Sequence, residues 1–417
     1  MAWSSLVAVH GPWAAGLLAF LVTALPLAPN LVPIALVLFI VAAVVQHRAQ
    51  FQRPSRGVWS TPFPWLAGFF LLHVLGMAWT EDIRFGLFDL QIKAPLLVLP
   101  LLAMTLPAMK RDARDAILFI ATLANALAVV ICLFSALVRL AIGSEFGAAL
   151  ELFSARFSFL IHPSYWAMYL CFALACWVLT PMHGWLPSAP SRAVLVLLCL
   201  GVVLSGSKLG WILLALLLPL VLVLRWRDLA LRRTLLALGA VTAGGLSLLV
   251  VVSPYAHDRV QEAWRAAFSE TLDDNAQTSS AVRRLTWSAA QELIAQDPML
   301  GTGTGDIKNE LLRIYDQRGQ SWVKEHRLNA HSQFLQSAAC LGVLGMLLLV
   351  LSLAAPLFGT WKRNALAVIF LGTCLLNWSV ESMLEVQAGV VWTVVIAFVL
   401  FTTADGNSEE HKVIERA

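Results

Sequence analysis

The sequence predicts an all-α integral membrane protein of about twelve transmembrane helices, with one large helical loop on the outer face between spans 9 and 10. Three observations predict it. Hydrophobic residues make up 59% of the 417 residues and charged residues only 13%, against roughly 25% charge in a soluble domain. The apolar segments run for about 15 to 25 residues without period-two alternation, which selects helices over barrel strands. Lipid also requires each spanning segment to satisfy its own backbone amides, which a helix does.

The spans fall at roughly 12–28, 31–46, 63–79, 94–108, 115–142, 163–181, 193–206, 208–224, 233–253, 331–359, 364–381 and 386–404. The first run follows an almost uncharged start and leads straight into the second, so it reads as a retained span. An even number of spans puts both termini on one side, and positive charge decides which. One set of connections, with the C-terminal tail, holds 15 of the 29 Lys and Arg residues, among them Arg48, Arg111, Arg114, Arg225 and Arg363. The short connections of the other set hold Arg84, Lys93, Arg139, Arg156 and Lys208. The expected order is residues 1–253 as spans 1–9, 254–330 as the outer loop, 331–404 as spans 10–12 and 405–417 as a polar cytoplasmic tail.

Within the loop, Ser279–Pro298 reads as an amphipathic helix with Val282, Leu285, Leu293 and Ile294 on one face. Pro298 ends it and Gly301–Gly305 forms a turn. Asp306 is placed as the N-cap of a second helix reaching about Arg318. A short interfacial helix is expected near Pro254–Ala267, anchored by Trp264. Asp273-Asp274 reads as a solvated turn. Gly301–Gly305 has no preceding buried strand and no βαβ setting, so a dinucleotide fingerprint is rejected. The six cysteines (Cys132, Cys171, Cys176, Cys199, Cys340 and Cys374) all lie in apolar runs without zinc spacing. They read as packed thiols, and no metal or cofactor is expected. The net charge of +4 is small, and no nucleic-acid partner is expected.

With this orientation, Arg84, Lys93, Arg156, His162, Lys208, Arg283, Arg284, His331 and Glu381 gather at or near the outer boundary. Ionisable groups at membrane depth are costly and usually face a cavity or a partner. Converging cations point to an anionic ligand, and a lipid-linked diphosphate at the interface suits Arg and Lys clamps. For each residue the plainer reading is a charged helix end; Arg139 and Lys324 read as ordinary snorkelling or solvated charges. Lys208 sits in Ser205-Gly206-Ser207-Lys208-Leu209-Gly210, a short polar break whose backbone amides could bind an anion; the alternative is a tight turn with one snorkelling lysine. His331 follows Asn329, a candidate cap, and would lie in the first turn of the tenth span.

Arg284-Leu285-Thr286-Trp287, then Pro298-Met299-Leu300-Gly301-Thr302-Gly303-Thr304-Gly305, then Asn329-Ala330-His331-Ser332 resemble, in this order, the outer loop of the O-antigen ligase and polymerase superfamily. That family typically shows an Arg-Leu-x-x-Trp helix, a Pro-x-x-Gly-x-Gly turn and an Asn/Ala-His-Ser/Asn step; here one residue separates Leu285 from Trp287. The segments around His162-Pro163-Ser164 and Glu381-Ser382-Met383-Leu384-Glu385 are also similar. Lys208 stands where the family usually has arginine, which keeps the charge but loses the bidentate fork.

The resemblance implies a metal-independent glycosyltransferase of the all-membrane GT-C type in the bacterial inner membrane, working at the periplasmic face. The expected donor is undecaprenyl-diphosphate-linked O-antigen and the expected acceptor lipid A–core, as in lipopolysaccharide biosynthesis. It implies His331 as the catalytic residue and Arg284, Lys208 and Arg156 as diphosphate ligands. His162, Arg283, Glu381, Arg84 and Lys93 are supporting candidates. An O-antigen polymerase using the same donor is the second reading, although polymerases often carry two large outer loops and the connection at 143–162 is short. A transporter of lipid-linked glycan is a third; it would place charge in mid-span and break helices near the bilayer centre.

Overall fold

A computed structural model describes residues 2–252, 256–258, 260, 261, 264 and 278–403. Most of the expected interfacial helix near Trp264, the Asp273-Asp274 turn and the tail 405–417 lie outside the described residues. The described chain is helical: α1 (Ala2–Leu27), α2 (Val32–His47), α3 (Phe63–Gly76), α4 (Ile83–Lys93), α5 (Pro95–Thr105), α6 (Arg111–Ala141), α7 (Pro163–Leu179), α8 (Ser188–Leu204), α9 (Lys208–Leu224), α10 (Leu229–Val252), α11 (Ser279–Gln296), α12 (Ile307–Gln317), α13 (Gln333–Phe358), α14 (Ala365–Val380) and α15 (Gln387–Phe401). Several helices begin on proline, among them α5 and α7, where the missing N–H breaks no helical bond.

This is a multi-pass membrane protein. Among the described residues five segments are long and apolar enough to cross a bilayer: Pro29–His47, Ile83–Thr105, Arg111–Ala141, Leu229–Leu248 and Gln333–Phe358. Shorter apolar helices cover the other segments read as spans. Large side chains such as Val41 and Val45 on α2, Phe134 on α6 and Val241 and Val251 on α10 are exposed. In water such surface would be unfavourable, whereas lipid accommodates it. All six cysteines are buried and unbridged.

At the centre stand α7 and α15, buried on nearly every face over Trp166–Val178 and Gly389–Phe401. Tyr169 stacks on Trp392 with ring centroids 5.3 Å apart, and its hydroxyl donates to the Ala388 carbonyl at 2.7 Å. This fixes the N-terminal half of α7 against the start of α15.

Two segments differ from the sequence reading. The fourth apolar segment begins at Ile83, not near residue 94, because α4 runs almost directly into α5. Asp89 and Lys93 therefore lie within it, where they pair with each other and with Glu385. The long helix α13 is broken at Gly342, where φ is +69° and ψ −170°.

The segment between α11 and α12 fills that break. The Thr302 and Gly303 amides donate to the carbonyls of Ala339 and Cys340 at 2.9 Å each, and the Val343 amide donates to the Pro298 carbonyl at 2.9 Å. In an unbroken helix Ala339 and Val343 would have bonded to each other; here the loop replaces each lost partner. A Cβ on Gly342 would lie 2.0 Å from the Met299 carbonyl oxygen, so only glycine allows both the left-handed backbone and the close approach.

The same turn grips the end of α3. Thr304 donates to the His73 carbonyl at 2.7 Å, and the Asp306 carboxylate accepts the amides of Glu81 and Asp82 at 2.8 Å each. Asp306 stands at the N-cap position of α12 but makes no side-chain cap bond there, because those amides have taken its carboxylate. The amphipathic helix α11 buries Val282, Leu285 and Leu293 as expected, with Ile294 half-buried.

Replacing Gly342 with alanine should lower the thermal midpoint in detergent. A left-handed residue alone costs about 1–2 kcal/mol, and the contact with Met299 adds to it. An unchanged midpoint would show that the loop turn does not depend on this break.

Candidate functional site

A cavity of 540 Å³ opens where the ends of α7, α9, α11 and α14 meet the start of α13. Its walls include His162, Lys208, Arg283, Arg284, His331 and Glu381.

His331 does not lie in a helical turn. Ser332 caps α13 by accepting from the Leu335 amide, so His331 stands outside the helix with φ at +45°. Asn329, expected as the cap, instead accepts the His331 amide at 3.0 Å. Two groups on α11 hold this turn: the Trp287 indole donates to the His331 carbonyl at 3.1 Å, and Thr286 donates to the Ala330 carbonyl at 3.3 Å. The His331 side chain faces Glu381, with Nδ1 3.3 Å from Oε2. A neutral imidazole oriented this way donates from Nδ1 and keeps its basic lone pair on Nε2.

Glu381 leaves the end of α14 on extended backbone. Arg283 donates to its Oε1 at 2.5 Å and to the Val380 carbonyl at 2.8 Å. Ser164, in the first turn of α7, donates to Oε1 at 3.3 Å. One carboxylate thus joins α7, α11, α14 and the His331 turn. Burial disfavours its charge, but the hydrogen bond from His331 and the Arg283 guanidinium outweigh that and hold its carboxyl down at about 2.

Lys208 begins α9 after Ser207, which caps the helix by accepting the Gly210 amide at 3.1 Å. Its ammonium reaches Ser279 at 3.1 Å and Ser280 at 3.4 Å, so it bridges α9 to the start of α11. Arg284 lines the same cavity, half-buried. His162 precedes α7, and its ring lies 5.4 Å from that of Tyr165.

Three of the sequence candidates are elsewhere. Arg156 donates to Glu151 at 2.6 Å and lies over the Phe146 ring at 3.8 Å; Ser154 and Ala155 line the cavity, but Arg156 is not among its walls. Arg139 joins the same carboxylate at 2.5 Å, which makes it a structural partner and not a simple snorkelling charge. Arg84 is exposed in the first turn of α4, away from the cavity. Lys93 is wholly buried between Asp89 and Glu385.

Conversely, Ser164, Ser279, Ser280 and Trp287 line the cavity and were not singled out as site residues. Residues 280, 283, 284 and 287 follow helical i, i+3, i+4, i+7 spacing, so the polar face of the expected α11 carried that signal. Among the described residues no group of three or more His, Cys, Asp or Glu side chains gathers into a metal site.

These features define a multi-pass helical membrane protein with a cation-rich cavity beside an oriented histidine. Residues 193–350 match the family model described as O-antigen ligase, which supports the resemblance read from the motifs. The match takes in Lys208, Arg283, Arg284 and His331 and ends before Glu381. No curated protein matches the chain.

Glu381 gives a pH prediction. Its folded value, about 2, lies below the ordinary 4.5, so its pairing stabilises the fold fully above about pH 4.5 and is lost as pH falls towards 2. The thermal midpoints of the wild type and Glu381→Gln should differ most near pH 6 and converge below 4.5. A difference independent of pH would contradict this.

Proposed function

We propose that the protein is an O-antigen ligase: a glycosyltransferase that moves O-antigen polysaccharide from undecaprenyl diphosphate onto lipid A–core. In this reading the chain crosses the inner membrane about twelve times, with both termini in the cytoplasm and the cavity at the periplasmic face. The observation that carries it is the placement of Lys208 and Arg284 on one cavity with the His331–Glu381 pair. Cations for a diphosphate and a base for a hydroxyl thus share one site.

The chemistry follows from the geometry. The acceptor hydroxyl gives its proton to Nε2 of His331 as its oxygen bonds to the anomeric carbon. The bond from that carbon to the phosphate oxygen breaks, and its electron pair leaves with the diphosphate. Lys208 and Arg284 stabilise the charge growing there. Glu381 orients the ring and stabilises the imidazolium, as the carboxylate of a hydrolase triad does. Direct displacement of this kind inverts the anomeric centre, and no step requires a metal ion. Arg283 serves the site through Glu381, since its guanidinium is bonded to that carboxylate and to the Val380 carbonyl.

The break in α13 is the feature a transporter would share. Here the Pro298–Gly303 turn supplies the hydrogen-bond partners that the break leaves, which favours a structural role for the break and chemistry at the membrane surface.

The purified protein, mixed with undecaprenyl-diphosphate glycan and lipid A–core in the presence of chelator, should yield a ladder of glycan-bearing lipid A–core. His331→Ala should lower kcat by about 10²–10⁴-fold, and Arg284→Ala should lower kcat/KM by about 10²–10³-fold. Wild-type rates in both variants would exclude these roles. Lengthening of the lipid-linked glycan without transfer to lipid A–core would make the enzyme a polymerase.

A further inference from the structure

We infer that Lys93 is a positioning residue for the His331–Glu381 pair and does not contact the donor. The inference rests on the catalytic reading of that pair. Lys93 is 0% exposed and does not line the cavity, so no phosphate can reach it there. Its ammonium is held by Asp89, one turn earlier on α4, and donates to Glu385 Oε2 at 2.9 Å. His73 on α3 lies 3.5 Å from the other Asp89 oxygen.

Glu385 passes the constraint on. Its Oε1 accepts from the Gln333 side-chain Nε2 at 3.1 Å, and the Gln333 side-chain Oε1 accepts the Leu384 amide at 2.6 Å. Gln333 is 0% exposed. It follows His331 by two residues, and Glu385 follows Glu381 by four. The two segments that carry the pair are therefore joined on their buried side, and Lys93 fastens the join to α4.

Magnitudes favour control from behind. The His331–Glu381 contact is 3.3 Å long, at the weak end for an N–H···O bond, and the imidazole is 25% exposed. Such a contact cannot fix two chain segments against thermal motion. The Lys93–Glu385 and Gln333–Glu385 bonds are shorter, at 2.9 and 3.1 Å, Lys93 and Gln333 are wholly buried, and breaking a buried ion pair is costly because it leaves an uncompensated charge. A misplacement of about 1 Å at a reacting group can cost about 100-fold in rate, so this network governs whether the imidazole is aligned.

Two variants of the full-length protein test this by transfer kinetics. Lys93→Met leaves Asp89 and Glu385 facing each other without their cation. Gln333→Met keeps the ion pairs and the side-chain volume but unfastens the two segments. Both should lower kcat by about 100-fold while the KM for undecaprenyl-diphosphate glycan stays within about twofold. If Lys93→Met fails to insert, Gln333→Met decides the matter. A raised donor KM with unchanged kcat in Lys93→Met would make Lys93 a donor ligand and overturn the inference, as would wild-type kcat in Gln333→Met.

A second measurement does not depend on turnover. The imidazole ¹⁵N spectrum, with the His331 signal assigned by its loss in His331→Ala, should show Nδ1 protonation in the wild type. That signature should be weakened in Gln333→Met; an unaltered His331 signal would overturn the inference. Absence of transfer by the wild type itself would count against the proposed activity, and the ¹⁵N comparison would still decide the positioning claim.

Discussion

A carboxylate buried at a membrane boundary must be paired, and the arrangement of the site follows from how Glu381 meets that requirement. Its partners are Arg283 from α11, His331 from the turn before α13 and Ser164 from α7. Burial alone would protonate it, yet its partners hold the carboxyl at about 2. The charge that costs energy to bury is also the charge that fixes the tautomer of the histidine. The contacts that stabilise Glu381 thus also orient the imidazole ring, and Arg283 is bonded to that carboxylate while Arg284 and Lys208 line the same cavity.

The outer loop is a structural member of the membrane domain. Its glycine turn takes over carbonyls left by the break in α13 and caps the end of α3. That docking fixes both ends of the chain between α11 and α13, and α11 in turn holds the His331 turn through Trp287 and Thr286. The Pro-x-x-Gly-x-Gly element thereby acquires a physical role: it lets the loop penetrate a helix without leaving backbone groups unsatisfied in lipid.

Much of this was legible in the sequence. Apolar runs of the right length marked the helices, the period of Val282, Leu285 and Leu293 marked α11, and the boundary charges marked Lys208, Arg283, Arg284, His331, His162 and Glu381 as neighbours. What was not legible depends on partners distant in the chain. Nothing near Lys93 announces Glu385, and without Glu385 a lysine at a helix end reads as a phosphate clamp. The pairing of Arg156 with Glu151 was not legible either, because the two meet through a turn that the sequence does not announce. The break at Gly342 was hidden inside an unbroken apolar run, since the groups that permit it are supplied by the loop some 40 residues earlier. Ser332 displaced Asn329 as the cap because only Ser332 reaches the Leu335 amide, while the Asn329 side chain closes its own turn.

The central claim is that the diphosphate of a lipid-linked glycan sits between Lys208 and Arg284 with its anomeric carbon before His331. A structure of the His331→Ala protein with undecaprenyl-diphosphate glycan bound tests it most directly. The account predicts phosphate density within hydrogen-bond distance of Lys208 and Arg284 and the first sugar beside residue 331. Density for the diphosphate at Arg84 or Arg156, with the cavity holding no sugar, would contradict it.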